Sequence, residues 1–455
     1  MMDVLTILYV AAGAVTILGG IVWLVNRLRG RPPSVAAEKM LSQIDTKLGR
    51  IIEYLDGLPK ATNKKERDLF NKGMECVRVG DYAEAVKHLK QLLGIEASPT
   101  GKVALNILIG NTLVRKTEPE EAKKYYEEAV KLSERINDLH GLSAAYGNLG
   151  IIFQREGDLN KALKYLEKAL DIDEKISNRV GKAATLNNLG IVYAILGETT
   201  KAMQFYEQAI KISDEIGDKV GKASSLGNAA LLFRRIGELD KALEFHMESL
   251  TISRLIGNRL GEAQQLGNLG LVYRHKGDLD KALEYHEQSL ALEKELGNKL
   301  GEANTLHNIS TVYLEKGDKT KAKEYYEQAL ALHREVGDKL GEGNDLGGLG
   351  SIYSEDGDIQ RAIEFFQNAL TIHKAIGYKE GVASSLGSLG NIYGTGGDID
   401  KAKMYHRQAR QIYKEVGNKV KESGQLINLA KDYAREGNNT EAMRLLQEAQ
   451  RLSKS

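Results

Sequence analysis

Residues 261–300 read GEAQQLGNLGLVYRHKGDLDKALEYHEQSLALEKELGNKL, and their spacing decides the fold. Leu266, Leu269, Gly270 and Tyr273 recur by threes and fours, as one face of a helix does, and Gly277 follows where a left-handed cap ends such a helix. Asp278 or Asp280 is placed to cap a second helix, whose inner stripe is Ala282, Leu283, Tyr285, His286, Ser289, Leu290 and Leu292. Gly297 then ends that helix, and Asn298 is available to start the next. No run alternates with the period of two that a strand requires, so the unit is a pair of helices. Two glycines inside the first helix, Gly267 and Gly270, each cost about 1 kcal/mol relative to alanine. The sequence predicts that a neighbouring helix approaches closely at both.

The unit repeats without drift. Gly157, Gly197, Gly237 and their successors to Gly437 stand forty residues apart, as do Ala162, Ala202, Ala242 and their successors to Ala442. An aromatic ring lies four residues before each of those glycines, from Phe153 and Tyr193 to Tyr433. A second glycine series runs from Gly141 and Gly181 to Gly381 and breaks at Lys421. A fixed period of this length marks a solenoid, in which each unit buries its apolar face against its neighbours. Asn71, Gly73, Gly80 and Ala85 fit a divergent earlier unit, and Gly110 and Ala122 another. Residues 66–455 therefore hold about ten units, and the fold class is all-α.

The pattern Leu269-Gly270-x-x-Tyr273, then Gly277, Ala282 and Ser289, resembles the tetratricopeptide repeat. The family's usual proline near the end of the second helix is absent, and the unit is longer. The linking stretch Gly297-Asn298-Lys299-Leu300-Gly301-Glu302 is similar to the adaptor repeats of LGN/Pins proteins and of kinesin light chains. The resemblance implies a superhelical solenoid of antiparallel helix pairs, whose first helices line a concave groove that grips an extended peptide. The family's asparagine position, two residues before the first-helix glycine, is filled here by Asn71, Asn148, Asn188, Asn228, Asn268, Asn308 and Asn428, and interrupted by Leu108, Gly348 and Ser388. An amide both donates and accepts, so a regular row of amides suits a peptide backbone. The competing reading is that these amides bond neighbouring helices and stabilise the stack. Arg234, Arg235 and Arg274 lie just past the aromatic positions and point to an acidic segment in the partner, against the plainer reading of solvated helix ends.

Val4 to Val25 carries no charge and is long enough to cross a bilayer. Trp23, then Arg27, Arg29 and Arg31, follow as an interfacial ring and a cytoplasmic flank, and no basic residue precedes the stretch as a signal peptide would want. Residues 4–25 are therefore expected to be a transmembrane anchor, with the N-terminus outside and the array cytoplasmic. Leu41, Ile44, Leu48, Ile51, Leu55 and Leu58 alternate by three and four, so residues 34–58 form either a short coiled-coil stalk or an amphipathic helix docked on the first repeat or lying on the membrane surface. Residues 59–65 are a basic linker.

Composition narrows the function. With 63 Lys and Arg against 62 Asp and Glu, the chain lacks the basic excess of a nucleic-acid binder. The one cysteine, Cys76, forms neither an internal disulfide nor a multi-cysteine metal site. His246, His286 and His406 occupy the same place in separate units, where other units carry Tyr206, Tyr326 and Phe366, so packing explains them better than metal binding. The glycine-rich stretches lack the Gly-Lys-Ser/Thr ending of a phosphate loop, and no nucleophile-elbow motif occurs. The leading reading is a membrane-anchored scaffold for a protein or peptide partner, with no catalysis and no cofactor. The alternatives are a regulatory subunit of a membrane or envelope-biogenesis enzyme, and a self-associating array.

Overall fold

The computed structural model of the chain describes residues 64–96 and 98–454. The expected anchor at 4–25 and the segment at 34–58 lie outside the described residues, as does most of the linker. Among the described residues no helix is long and apolar enough to cross a membrane.

The described chain is helical throughout, with no strand. It falls into two units, Met1–Gln265 and Leu266–Ser455. The first contains α1 (Lys64–Val79), α2 (Tyr82–Ile95), α3 (Pro99–Arg115), α4 (Pro119–Ile136), α5 (Leu139–Glu156), α6 (Leu159–Lys175), α7 (Arg179–Ile195), α8 (Thr199–Ile216), α9 (Lys219–Arg235) and α10 (Leu239–Leu255). The division falls within α11 (Arg259–His275). The second contains α12 (Leu279–Leu296), α13 (Lys299–Glu315), α14 (Lys319–Val336), α15 (Lys339–Glu355), α16 (Ile359–Ala375), α17 (Lys379–Thr395), α18 (Ile399–Glu415), α19 (Lys419–Arg435) and α20 (Asn439–Lys454).

Odd-numbered helices open each pair and even-numbered helices close it. From α1 to α10 in the first unit, and from α12 to α20 in the second, each helix packs on the next in the chain. The first helices also touch their successors: α3, α5, α7 and α9 in the first unit, and α13, α15, α17 and α19 in the second. One face of each unit is thus lined by first helices.

Within a pair the turn is fixed by chemistry that the sequence shows only in part. Gly277 has φ +79, a left-handed conformation that side chains resist. Asp278, rather than Asp280, accepts from the Lys281 backbone N–H at 3.1 Å. The Lys281 ammonium then lies 5.2 Å from the centre of the Tyr273 ring, which stacks on Tyr285 at 5.2 Å. The same staple of cation and two rings runs from Phe153, Tyr165 and Lys161 to Tyr393, Tyr405 and Lys401. It explains the aromatic series. The pair α19–α20 lacks it, since Glu441 and Leu445 replace the cation and the second ring.

Between pairs, a buried column at the end of the second helices holds the cap of the next first helix. Asp173 accepts from the Asn178 amide at 2.8 Å and from Ser143 at 2.7 Å, and Glu293 accepts from the Asn298 amide at 2.7 Å. Asn298 in turn accepts from the Gly301 N–H at 3.3 Å. A Cβ at Gly301 would stand 2.6 Å from the Asn298 amide, so the second glycine series makes room for cap and column together. The series breaks at Lys421 because the column there is Tyr413, and the Lys421 ammonium lies 5.6 Å from that ring's centre.

Only one of the two interior glycines behaves as expected. A Cβ at Gly270 would meet His286 at 2.6 Å, a true close approach. At Gly267 it would meet only Ser289 Oγ at 3.4 Å, an ordinary contact, so packing does not account for that glycine.

Candidate functional site

The first-helix face of each unit carries the asparagine row. In the first unit, Asn188 and Asn228 are half-buried, while Asn148 is only 8% exposed, so its amide is turned into the stack. The Asn228 amide donates to Asn187 Oδ1 at 3.0 Å, from one first helix to the preceding one. That residue pair serves the stack as well as any ligand. In the second unit, Asn268, Asn308 and Asn428 are half-buried. The gap at Gly348 has a steric cause. A Cβ there would stand 2.5 Å from Tyr326 Cζ, so the tyrosine fills the place of the missing side chain.

The arginines divide. Arg235 is exposed and Arg234 half-buried at the end of α9. Arg274 is half-buried and pairs with Glu315 of α13 at 3.6 Å, so it already balances a carboxylate. His246, His286 and His406 are each enclosed in their own pairs. Burial draws the imidazoles of His246 and His286 down from 6.5 to about 4, with Arg234 and Arg274 adding repulsion. His246 and His406 share their Nδ1 with Gln265 and Gln425, at 2.7 and 3.0 Å. Among the described residues no group of three or more His, Cys, Asp or Glu side chains is placed to hold a metal ion.

The sequence reading passed over a polar cluster in the second unit. Asp345 of α15 is fully buried and lies between two imidazoles, His307 Nδ1 at 2.6 Å and His333 Nδ1 at 2.7 Å. His333 is itself buried, whereas His307 sits on the first-helix face beside Asn308. The Tyr326 ring meets His307 edge-on at 5.5 Å and its hydroxyl is 3.2 Å from Thr311 Oγ1. The available signal was the forty-residue column itself: at the place of His307, other units carry Gly147, Gly227, Gly267, Gly347 and Gly387.

A tetratricopeptide repeat model matches residues 103–175, 178–254, 262–335 and 345–415. No curated protein matches the chain. Among solved structures, the apo form of the quorum sensor NprR from B. thuringiensis superposes with a TM-score of 0.56 at 17% identity, over 78% of this chain and 98% of that one. A Rap protein complexed with Competence and Sporulation Factor gives 0.55 at 15% identity, over 78% and 99%. The Rap conjugation gene regulator of the plasmid pLS20, in complex with the Phr* peptide, gives 0.52 at 17%, over 78% and 96%. At these identities the likeness is one of fold.

Proposed function

We propose, from the premise that this chain belongs to the tetratricopeptide repeat family, that it is a non-catalytic adaptor whose first-helix faces hold an extended segment of a partner protein. The observation that carries the reading is the recurrence of half-buried amides on the first-helix face of each unit, Asn188 and Asn228 in the first and Asn268 and Asn308 in the second. Asparagine is a poor helix former, so its recurrence at one position needs a contact to offset its cost. A backbone offers alternating donors and acceptors, which is what a row of amides matches. Two of the fold neighbours are named with a bound factor or peptide, which agrees with this use of the fold.

The adaptor is anchored, in this reading, by residues 4–25, with the array on the cytoplasmic side. The uncharged stretch and the arginines that follow it support that arrangement. Arg235 at the exposed end of α9 favours an acidic stretch in the segment held there.

The test is affinity capture from native membranes with the full chain and with a variant carrying alanine at Asn188, Asn228, Asn268 and Asn308. Loss of specific partners with unchanged thermal unfolding supports the groove. Full recovery of the same partners sinks it. Loss of capture together with a lower melting temperature assigns the amides to the stack instead, as the Asn187–Asn228 bond would have it. Separately, deletion of residues 4–25 is expected to move the protein from the carbonate-resistant membrane fraction to the supernatant.

A further inference from the structure

We propose that the second unit carries a side-chain subsite, formed by His307, Asn308 and Gly347, that selects a hydroxyl-bearing residue of the bound segment. The proposal rests on the groove reading above and adds a chemical class to it.

The first observation is the contact between His307 and Asp345. Its Nδ1 lies 2.6 Å from a carboxylate oxygen of Asp345, which is fully buried and also accepts from His333 at 2.7 Å. A carboxylate only accepts, so a proton sits on His307 Nδ1, and in the neutral ring the Nε2 lone pair is left outward. Nε2 has no hydrogen-bond partner among the described residues. Asp345 thus acts as a positioning residue, setting the tautomer and ring plane of an imidazole on the first-helix face.

The second observation is Gly347. It lies inside α15, where glycine weakens the helix. A Cβ there would meet nothing within 4 Å, so no packing demand of the fold requires it. Its neighbour Gly348 is different, because Tyr326 occupies the space beside it. Open room at Gly347, one helix pair on from His307, leaves space for a side chain of the ligand.

The surroundings then select the chemistry. Beside His307 on the same face stand Asn304, Asn308 and Thr311, and α15 offers Asn344 and Ser351. These are amides and hydroxyls. Asp345 is enclosed and already shared by two imidazoles, so it offers a lysine or arginine no free counter-charge. A ligand carboxylate would meet the Nε2 lone pair rather than a donor. A hydroxyl donates to Nε2 and accepts from the Asn308 amide, satisfying both groups at once. The segment therefore presents serine, threonine or tyrosine at this register.

The experiment is selection of displayed random peptides on the full chain, with binding of the winners measured by fluorescence anisotropy. The selected pool is expected to share Ser, Thr or Tyr at one register. Binding is expected to fall about tenfold or more for His307→Phe and for Gly347→Leu. Replacing the shared hydroxyl residue by its closest non-hydroxyl analogue should cost as much on the parent chain and nothing further on His307→Phe. Gly347→Leu fills open space and replaces a helix-weak residue, so its helicity and melting temperature should equal or exceed the parent's, which guards against a folding artefact. A pool without that preference, or winners indifferent to both variants yet sensitive to alanine at Asn268, overturns the subsite while leaving the groove. Winners indifferent to that asparagine as well, or no enrichment at all, overturn both.

Discussion

His286 is enclosed where other units place Tyr206, Tyr326 or Phe366, and neither of its ring nitrogens has a hydrogen-bond partner among the described residues. A buried polar ring without partners is a standing cost of about 1–3 kcal/mol. Burial also makes it a proton-linked one. In the unfolded chain an imidazole takes up a proton near 6.5, whereas His246 and His286 in the array do so only near 4. Between those values the unfolded state binds more protons, so stability is full above pH 6.5 and is lost as pH falls toward 4. Each group contributes roughly 3 kcal/mol across that window. His286→Phe is therefore expected to raise the thermal midpoint, and by more at pH 5 than at pH 8. Equal gains at both pH values would show that the imidazole does not titrate with folding. At this scale Gly347→Ala is expected to stabilise the chain by about 1 kcal/mol, since the added methyl relieves a helix-weak position and meets nothing. Chemical denaturation reads that gain directly.

Helices in this chain are joined by matched pairs of cap and column. Where the column residue is acidic, as at Asp173 and Glu293, the cap is an amide, Asn178 or Asn298. Where the cap is Asp138, Asp218 or Asp338, the column offers Ser133, Ser213 or His333. No acid faces an acid. Asn298→Asp keeps a good N-cap residue, yet it sets a second carboxylate against Glu293, whose burial already holds its carboxyl above the usual range. The variant is expected to lose about 1–2 kcal/mol at neutral pH and to recover part of it on acidification, which urea titrations at two pH values would show. A loss that does not change with pH would mean the amide's geometry, not its charge, matters. The cap itself was legible in the sequence, because Gly-Asn before a periodic run is a local signal. The column was not, because its residues are chosen by a helix that packs on them and they vary with it. The same limit applied to Gly267, whose helix position was clear while its surroundings were not, and to His307, which looks like an ordinary helix residue until Asp345 is seen beneath it.

At the scale of the whole molecule, α1 to α10 in one unit and α12 to α20 in the other each pack on their neighbours in the chain, and stability within a unit is accordingly a sum of local terms. A defect should stay near its source. Ala322 of α14 is fully buried at the small-residue position of its pair. Enlarging it to leucine forces side chains off their preferred rotamers and costs roughly 1–3 kcal/mol. In a globule with one core that loss would lower the protection of every slowly exchanging amide alike. Here hydrogen exchange measured on Ala322→Leu is expected to rise over α13 to α16, while α3 to α8 keep the protection they have in the parent chain. The distinction bears on function, because a partner held along several first helices would tie those local terms together. Adding a selected peptide should slow exchange across all the pairs it spans, including pairs whose side chains it does not touch. Protection confined to the residues in direct contact would mean that the pairs respond to ligand one at a time, and that the array is a row of separate sites.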